Sequence, residues 1–457
     1  MKKYDVVICG GGPAGIFAAL AAAKNGVNTL LVEQDSFLGG TAITGLPLLS
    51  FHNNRGEQIV KGMPWEFISN LLKTDDAAID RNIGVDGAIG KGGAEFISQS
   101  IPVRPEAVKY YAQKMLMDAG VDILLQTFVN EVLVVEQKVK GIKIANKDGV
   151  TVVSADCIVD CSGDGDIAAW AGAPFEKGRK IDGIMQPMTQ LFVLNHVDLD
   201  IAEHANVFYP RKMEVLSDIA WKGAYKKGEI KLIPWTNELK SQFPDSGIEH
   251  GFVIRNWGDG VYYAGNMLHI PYVDGSVATE RTRAILTGKD QIWRLVQFLR
   301  KNVPGFEKSY LIQTYNIGIR ETRRILGDYY LTLDDVLDAK RHEDDITLSG
   351  YFVDIHDYKG SWLYSPEKGT QVKDFGAYGI PYRCLVPQKI DGLLVAGRCL
   401  SASHEAHASA RVMGTCMAMG QAAGTAAALS VKQGTIPRNV DRDVLLKTLT
   451  QQGAIIK

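Results

Sequence analysis

The sequence predicts an α/β protein: a Rossmann-like dinucleotide-binding domain split along the chain, with a mixed α+β substrate domain inserted into it. Three observations predict this. An apolar run, Val6-Val7-Ile8-Cys9, leads into Gly10-Gly11-Gly12-Pro13-Ala14-Gly15 and then an Ala-rich helical pattern. The strand–helix alternation lapses between residues 186 and 382. It returns at Leu393-Leu394-Val395-Ala396-Gly397, just before a long helix of small residues. Domains spanning 1–185, 186–382 and 383–457 follow from these breaks.

A chain of 457 residues is too long for one small core. At 46% hydrophobic and 22% charged it has the composition of an ordinary globular protein. A net charge of -2 gives no footprint for nucleic acid or an anionic membrane. The six cysteines form no C-x-x-C pair, which favours buried thiols in a reducing compartment. Met1-Lys2-Lys3 passes directly into a strand, so no secretory leader is expected and a cytoplasmic location is. Val412 to Val431 is long and uncharged but rich in Gly, Ala, Ser and Thr; it reads as a buried helix, not a membrane span.

In order, Lys3 to Cys9 reads as a strand, Pro13 to Asn25 as a helix closed by Gly26, and Asn28 to Glu33 as a second strand. Gly10 permits the turn, Gly12 admits a pyrophosphate close to the backbone, and Gly15 lets helix and strand pack. The helix N-terminus offers N–H groups to phosphates. Glu33, 18 residues beyond Gly15, can accept from a ribose diol. Leu38-Gly39-Gly40-Thr41 suits a loop lying along an extended cofactor, which favours FAD over NAD. Residues 50–102, glycine-rich between Gly84 and Gly93, read as an excursion covering the cofactor. Arg104-Pro105-Glu106 opens a helix to about Ala119, followed by strands near 121–126, 129–136, 139–145 and 157–160. Cys161-Ser162-Gly163-Asp164-Gly165-Asp166 is a second cofactor-facing turn without the full glycine spacing.

The middle block concentrates aromatics, among them Trp221, Trp235, Trp257, Trp293, Tyr329 and Trp362, read mainly as core. Gln291 to Lys301 looks helical, and Arg398 to Ser409 reads as a polar loop. His404-Glu405-Ala406-His407 is one residue short of H-E-x-x-H, so no metal is expected.

With these residues in view, the chain resembles FAD-dependent oxidoreductases of the glutathione-reductase-like flavoprotein superfamily. More narrowly, it resembles the bacterial family often labelled xanthan-lyase-related. The narrower resemblance rests on Gly318-Ile319-Arg320-Glu321-Thr322-Arg323-Arg324, Asp354-Ile355-His356-Asp357 and Ile380-Pro381-Tyr382-Arg383-Cys384-Leu385-Val386-Pro387. It also rests on Leu394-Val395-Ala396-Gly397-Arg398 and Gly420-Gln421-Ala422-Ala423-Gly424. Cys161-Ser162-Gly163 stands where many relatives have Ala-Thr-Gly.

The resemblance implies FAD, held by Gly10, Gly12, Pro13, Ala14 and Gly15 at the pyrophosphate and by Glu33 and Gln34 at the ribose. Val129 would meet adenine through its backbone. Gly40, Thr41, Ser162, Gly163, Asp166, Gly397, Arg398, Arg411, Val412, Gly414 and Thr415 would line the rest.

No second glycine fingerprint is present, so substrate, a partner protein or a quinone is expected to exchange electrons with the flavin. The leading expectation is hydride transfer from a small polar substrate, a carbohydrate-like alcohol or a hydroxy or carboxylic acid. His356 would be the base, His404 next in line, and Arg383 or Arg320 the anchor. Reduction of an activated C=C bond and non-redox hydratase or isomerase chemistry stay open, as do substrate identity and a homo-oligomeric state.

Overall fold

The structure is a computed structural model. It describes residues 2–74, 76–85, 95–211, 214–216, 226–265, 268–357 and 369–457. Part of the glycine-rich patch (86–93), Trp221 and Trp362 therefore lie outside the described residues. The chain divides into two compact units: Met1–Lys177, Thr322–Asp354 and Ser365–Lys457 in unit 1, and Gly178–Glu321 with Ile355–Tyr364 in unit 2. Thr322–Asp354 lies within the 186–382 block yet belongs to unit 1, where Arg323–Ile325 pairs antiparallel with Phe175–Lys177.

Unit 1 is built on a mixed sheet. Strand β1 (Lys2–Cys9) runs through its middle, and Val6, Val7 and Ile8 are fully buried, as a strand covered on both faces requires. Helix α1 (Pro13–Lys24) follows, with Pro13 in its first turn, and then strand β2 (Thr29–Val32). The parallel part runs Asp122–Leu124, β2, β1, Gly149–Asp160, with Leu393–Val395 pairing the last of these. Lys138–Asn146 and Phe128–Val135 continue it antiparallel. Gly149–Asp160 is longer than the strand expected at 157–160, because its first half pairs Lys138–Asn146 and its second half pairs Leu393–Val395.

The long small-residue helix is Met413–Lys432, and small residues are what its position demands. A β-carbon on Gly420 would lie 2.0 Å from the carbonyl oxygen of Ala14, and one on Gly424 would lie 2.0 Å from that of Ala18. The two helix backbones are therefore in contact through glycine and alanine. The stretch read as a polar loop after Gly397 contains a helix, His404–Ala410, capped by the Ser403 side chain, which accepts from the Ala406 amide at 3.1 Å.

Unit 2 is an antiparallel sheet backed by one long helix. Its strands run in the order Phe208–Pro210, Lys226–Ile230, Phe252–Asn256, Val261–Gly265, Met188–Asn195, with His269–Ile270 and Tyr310–Gly318 also pairing the last strand. The helix Ala278–Asn302 contributes Ile292, Leu295, Val296, Phe298 and Leu299 to a core shared with Phe192, Leu194, Phe252 and Ile254. It starts well before the expected 291–301. Gly288 sits within it because a β-carbon there would be 2.6 Å from the Gln190 Oε1.

Candidate functional site

The glycine loop divides its labour by position. Gly10 turns with a positive φ of 107°, and a β-carbon there would sit 2.4 Å from the Cys161 carbonyl oxygen. A β-carbon on Gly15 would be 1.8 Å from the Gly10 carbonyl oxygen. At Gly12, by contrast, nothing lies within 4 Å of the β-carbon position. Gly12 is also the N-cap of α1 and receives no side-chain cap. An uncapped helix N-terminus facing open space fits a pyrophosphate.

Glu33 closes the far side of this loop. One carboxylate oxygen accepts from the Gly11 amide and the other from the Asp35 amide at 2.8 Å. Burial raises its pKa, and these amides pull it back towards the charged form. A carboxylate held at the end of β2 suits a ribose diol. Gln34, next to it, is exposed. The turn Gly40–Ile43 packs on the loop: a β-carbon on Gly40 would be 3.0 Å from the Gly12 Cα, and the Gly39 amide donates to the Gly11 carbonyl. A β-carbon on Gly397 would be 3.0 Å from the Ala14 Cβ. Gly10 with Gly15, Gly12 with Gly40, and Ala14 with Gly397 are thus in close contact, with open space at Gly12 and Thr41 exposed.

The second turn is organised by Asp160, which is fully buried. It accepts from the Ser162 amide (3.0 Å) and hydroxyl (2.6 Å) and from the Ala168 amide (2.9 Å). Burial raises its pKa to about 6 despite these donors. Gly163 lies against Arg398, whose Nη2 donates to Asp164 Oδ1 at 2.8 Å; Thr322 Oγ1 donates to the same oxygen. Asp166 is paired with Arg323 at 2.6 Å. Arg398 and Asp166 therefore hold this turn's shape. Val129 lies half-buried on Phe128–Val135.

Val412 occupies the N-cap position of the 413–432 helix with no side-chain cap, and Arg411 Nη2 donates to the Asp354 carbonyl at 3.0 Å. A β-carbon on Gly414 would meet the Leu49 carbonyl oxygen at 2.5 Å. The Thr415 hydroxyl is buried among those of Ser50 (3.2 Å) and Ser349 (3.1 Å).

Arg383 is engaged elsewhere. It forms a two-pronged pair with the buried Asp344, Nε to Oδ2 at 3.0 Å and Nη2 to Oδ1 at 2.9 Å, and lies over the Tyr329 ring. Asp344 is held below the usual carboxylate range: burial pushes it up, but the Arg383 hydrogen bond and charge outweigh that. That geometry gives Arg383 a structural partner. His404 is buried at the start of its helix, and His407 Nε2 contacts the Arg398 carbonyl oxygen at 2.8 Å.

His356 and Arg320 belong to unit 2. Both are buried. Arg320 Nη1 donates to the Pro187 carbonyl at 2.6 Å and to Thr189 Oγ1 at 2.9 Å. His356 Nδ1 lies 3.1 Å from His269 Nε2, with the rings nearly perpendicular at 89°. No motif or spacing in the sequence marks His269. Burial, then the Arg320 charge, then that of His250 lower its pKa to about 3, so its ring is neutral. The register of the short strand His269–Ile270 against Met188–Thr189, with the His269 amide donating to the Ser246 carbonyl at 2.8 Å, places it there.

Among the described residues no group of three or more His, Cys, Asp or Glu is placed to hold a metal ion. Among the described residues no helix is long and apolar enough to cross a membrane. The six cysteines are buried thiols.

Comparison with known proteins decides the family. The profile described as FAD dependent oxidoreductase matches residues 5–449. The chain belongs to this family. It is a flavoprotein oxidoreductase, and FAD is its cofactor. The glycine loop, with open space at Gly12, fits that cofactor.

The chain is 26% identical over 194 residues to an NADH:fumarate oxidoreductase of Klebsiella pneumoniae, a match covering 35% of this chain and 20% of that protein. It is 29% identical over 188 residues to a digeranylgeranylglycerophospholipid reductase of Thermoplasma acidophilum, covering 38% of this chain and 42% of that one. The chain thus spans less than half the length of these relatives. Among solved structures, Aquifex aeolicus GidA matches with a TM-score of 0.51 at 17% identity, over 98% of this chain and 67% of that chain, a likeness of fold.

Proposed function

We propose that this FAD-dependent oxidoreductase exchanges a hydride with a small polar organic substrate, in the direction that reduces a C=C bond activated by a neighbouring carbonyl or carboxylate. The observation that carries the direction is the buried His269–His356 pair near the positive charge of Arg320. Such surroundings disfavour an imidazolium and favour neutral N–H donors, which polarise a substrate oxygen. The names of the matched relatives, a fumarate oxidoreductase and a phospholipid reductase, support the same direction.

When bound, the reduced flavin supplies the hydride. The chain supplies the rest. In this reading Gly10, Gly12, Pro13, Ala14 and Gly15 hold the pyrophosphate, Glu33 and Gln34 the ribose, and Val129 the adenine. Gly40, Thr41, Ser162, Gly163, Asp166, Gly397, Arg398, Arg411, Val412, Gly414 and Thr415 shape the remainder. His356 donates to the substrate carbonyl, Arg320 contributes positive charge, and the α-carbon takes its proton from water as hydride reaches the β-carbon. Arg383 keeps its segment in place through Asp344. Electrons arrive from a partner protein or a diffusible carrier, as the single glycine fingerprint favours. The narrower xanthan-lyase-related and glutathione-reductase-like resemblances belong to this reading, not to the family assignment.

The reverse direction, oxidation of an alcohol or hydroxy acid with His356 as base, needs a bare Nε2 on His356. An anaerobic absorbance titration separates the two. Photoreduced protein that regains its yellow colour on addition of fumarate or crotonate supports reduction. Bleaching of the oxidised protein by a hydroxy acid or sugar alcohol, without reoxidation by enoates, reverses the direction. Turnover indifferent to flavin redox state would sink both.

A further inference from the structure

The unused partner in unit 2 is His269. Its Nδ1 is buried with no hydrogen-bond partner among the described residues, while its Nε2 faces His356 Nδ1 at 3.1 Å. One proton lies between the two rings, and two arrangements are possible. If His356 Nδ1 carries it, neutral His269 must place its own proton on Nδ1. That buries an N–H with no acceptor, in the field of the Arg320 guanidinium. If His269 Nε2 carries it, Nδ1 is a bare lone pair, which a nearby cation favours. The second arrangement satisfies the cluster better. His356 is then an acceptor at Nδ1, and its own proton sits on Nε2.

We propose that His269 is a positioning residue: it donates to His356 Nδ1 and holds His356 as a neutral, Nε2-protonated imidazole, a hydrogen-bond donor and not a base. The consequence for substrate class is direct. Such a donor recognises an oxygen acceptor, a carbonyl or carboxylate, and cannot deprotonate an alcohol. The charged or titratable groups acting on His269 are Arg320, His250 and His356. This inference rests on the reading that His356 acts on the substrate, but its test does not need the substrate.

The test is a long-range proton–nitrogen spectrum of flavin-loaded protein carrying 15N-histidine. His356 is expected to show the neutral pattern with its proton on Nε2, and so is His269. In His269→Ala the His356 proton is expected to divide between its two ring nitrogens, and in His269→Gln, whose amide donates to the same Nδ1, to return to Nε2. A wild-type His356 protonated on Nδ1, or a tautomer unmoved in His269→Ala, overturns the proposal. Should His269→Ala not fold, the wild-type pattern and the His269→Gln tautomer decide it. Failure of the underlying reading looks different: His356→Ala would react with enoates at the wild-type rate while the wild-type tautomer stayed as described.

Discussion

A β-carbon on Gly15 would lie 1.8 Å from the carbonyl oxygen of Gly10, so the helix and the turn before it are in backbone contact. Three residues before Gly15, Gly12 faces open space in an extended conformation, φ -78°, that any residue adopts. The two glycines therefore predict different failures. Gly12→Ala is expected to fold with an unchanged melting temperature yet bind FAD at least about 10-fold more weakly, read by fluorescence of released flavin. Gly15→Ala is expected to lose about 3 kcal/mol or more of stability, read by denaturant unfolding. Equal flavin retention in Gly12→Ala and wild type would remove the pyrophosphate from that space.

The contact between α1 and the 413–432 helix predicts a purely structural lesion. Gly424→Val drives a side chain into the Ala18 carbonyl, 2.0 Å from the β-carbon position. A loss of about 3 kcal/mol or more is expected by thermal unfolding, whether or not flavin is added. An unchanged melting temperature would mean that the helices are not packed this closely.

Asp160 predicts a pH dependence. Its folded pKa is raised from 3.8 to about 6 by burial, so between those values the folded state holds the proton more tightly than the unfolded chain. Its contribution is present in full below pH 3.8 and fades as pH rises through about 6. At 1.36 kcal/mol per unit this amounts to about 3 kcal/mol. Asp160→Asn should stop stability falling with that slope between about pH 4 and about pH 7, measured by urea unfolding at each pH. Identical slopes in variant and wild type would contradict it.

His269 predicts the opposite sign. Its folded pKa is lowered to about 3, so the unfolded chain binds the proton first as pH falls below 6.5, and folded stability is lost in that range. His269→Gln is expected to be less acid-labile than wild type down to about pH 4, read by the same unfolding series. A steeper acid loss in the variant would mean that His269 is charged in the folded protein.

What the sequence made legible was local. The glycine spacing, Glu33 at the end of β2 and the return at Leu393–Val395 are written in consecutive residues, where backbone geometry dictates residue type. His404–Ala410 was misread as a loop because its helix is polar in composition but buried in the fold, and only Ser403 signals its start. The pair His269–His356, 87 residues apart, and the pair Asp344–Arg383, 39 apart, depend on tertiary register and left no periodic trace. Arg383 looked like a substrate anchor for the same reason: its partner could not be seen from its neighbours.

The most direct measurement is anaerobic stopped-flow reoxidation of the photoreduced, FAD-loaded protein by fumarate and by crotonate. Wild type should consume one enoate per flavin as the yellow absorbance returns. His356→Ala, retaining its flavin, should do so about 100-fold more slowly. Reduced protein that no enoate reoxidises, or a His356→Ala variant that matches wild type, would contradict the account.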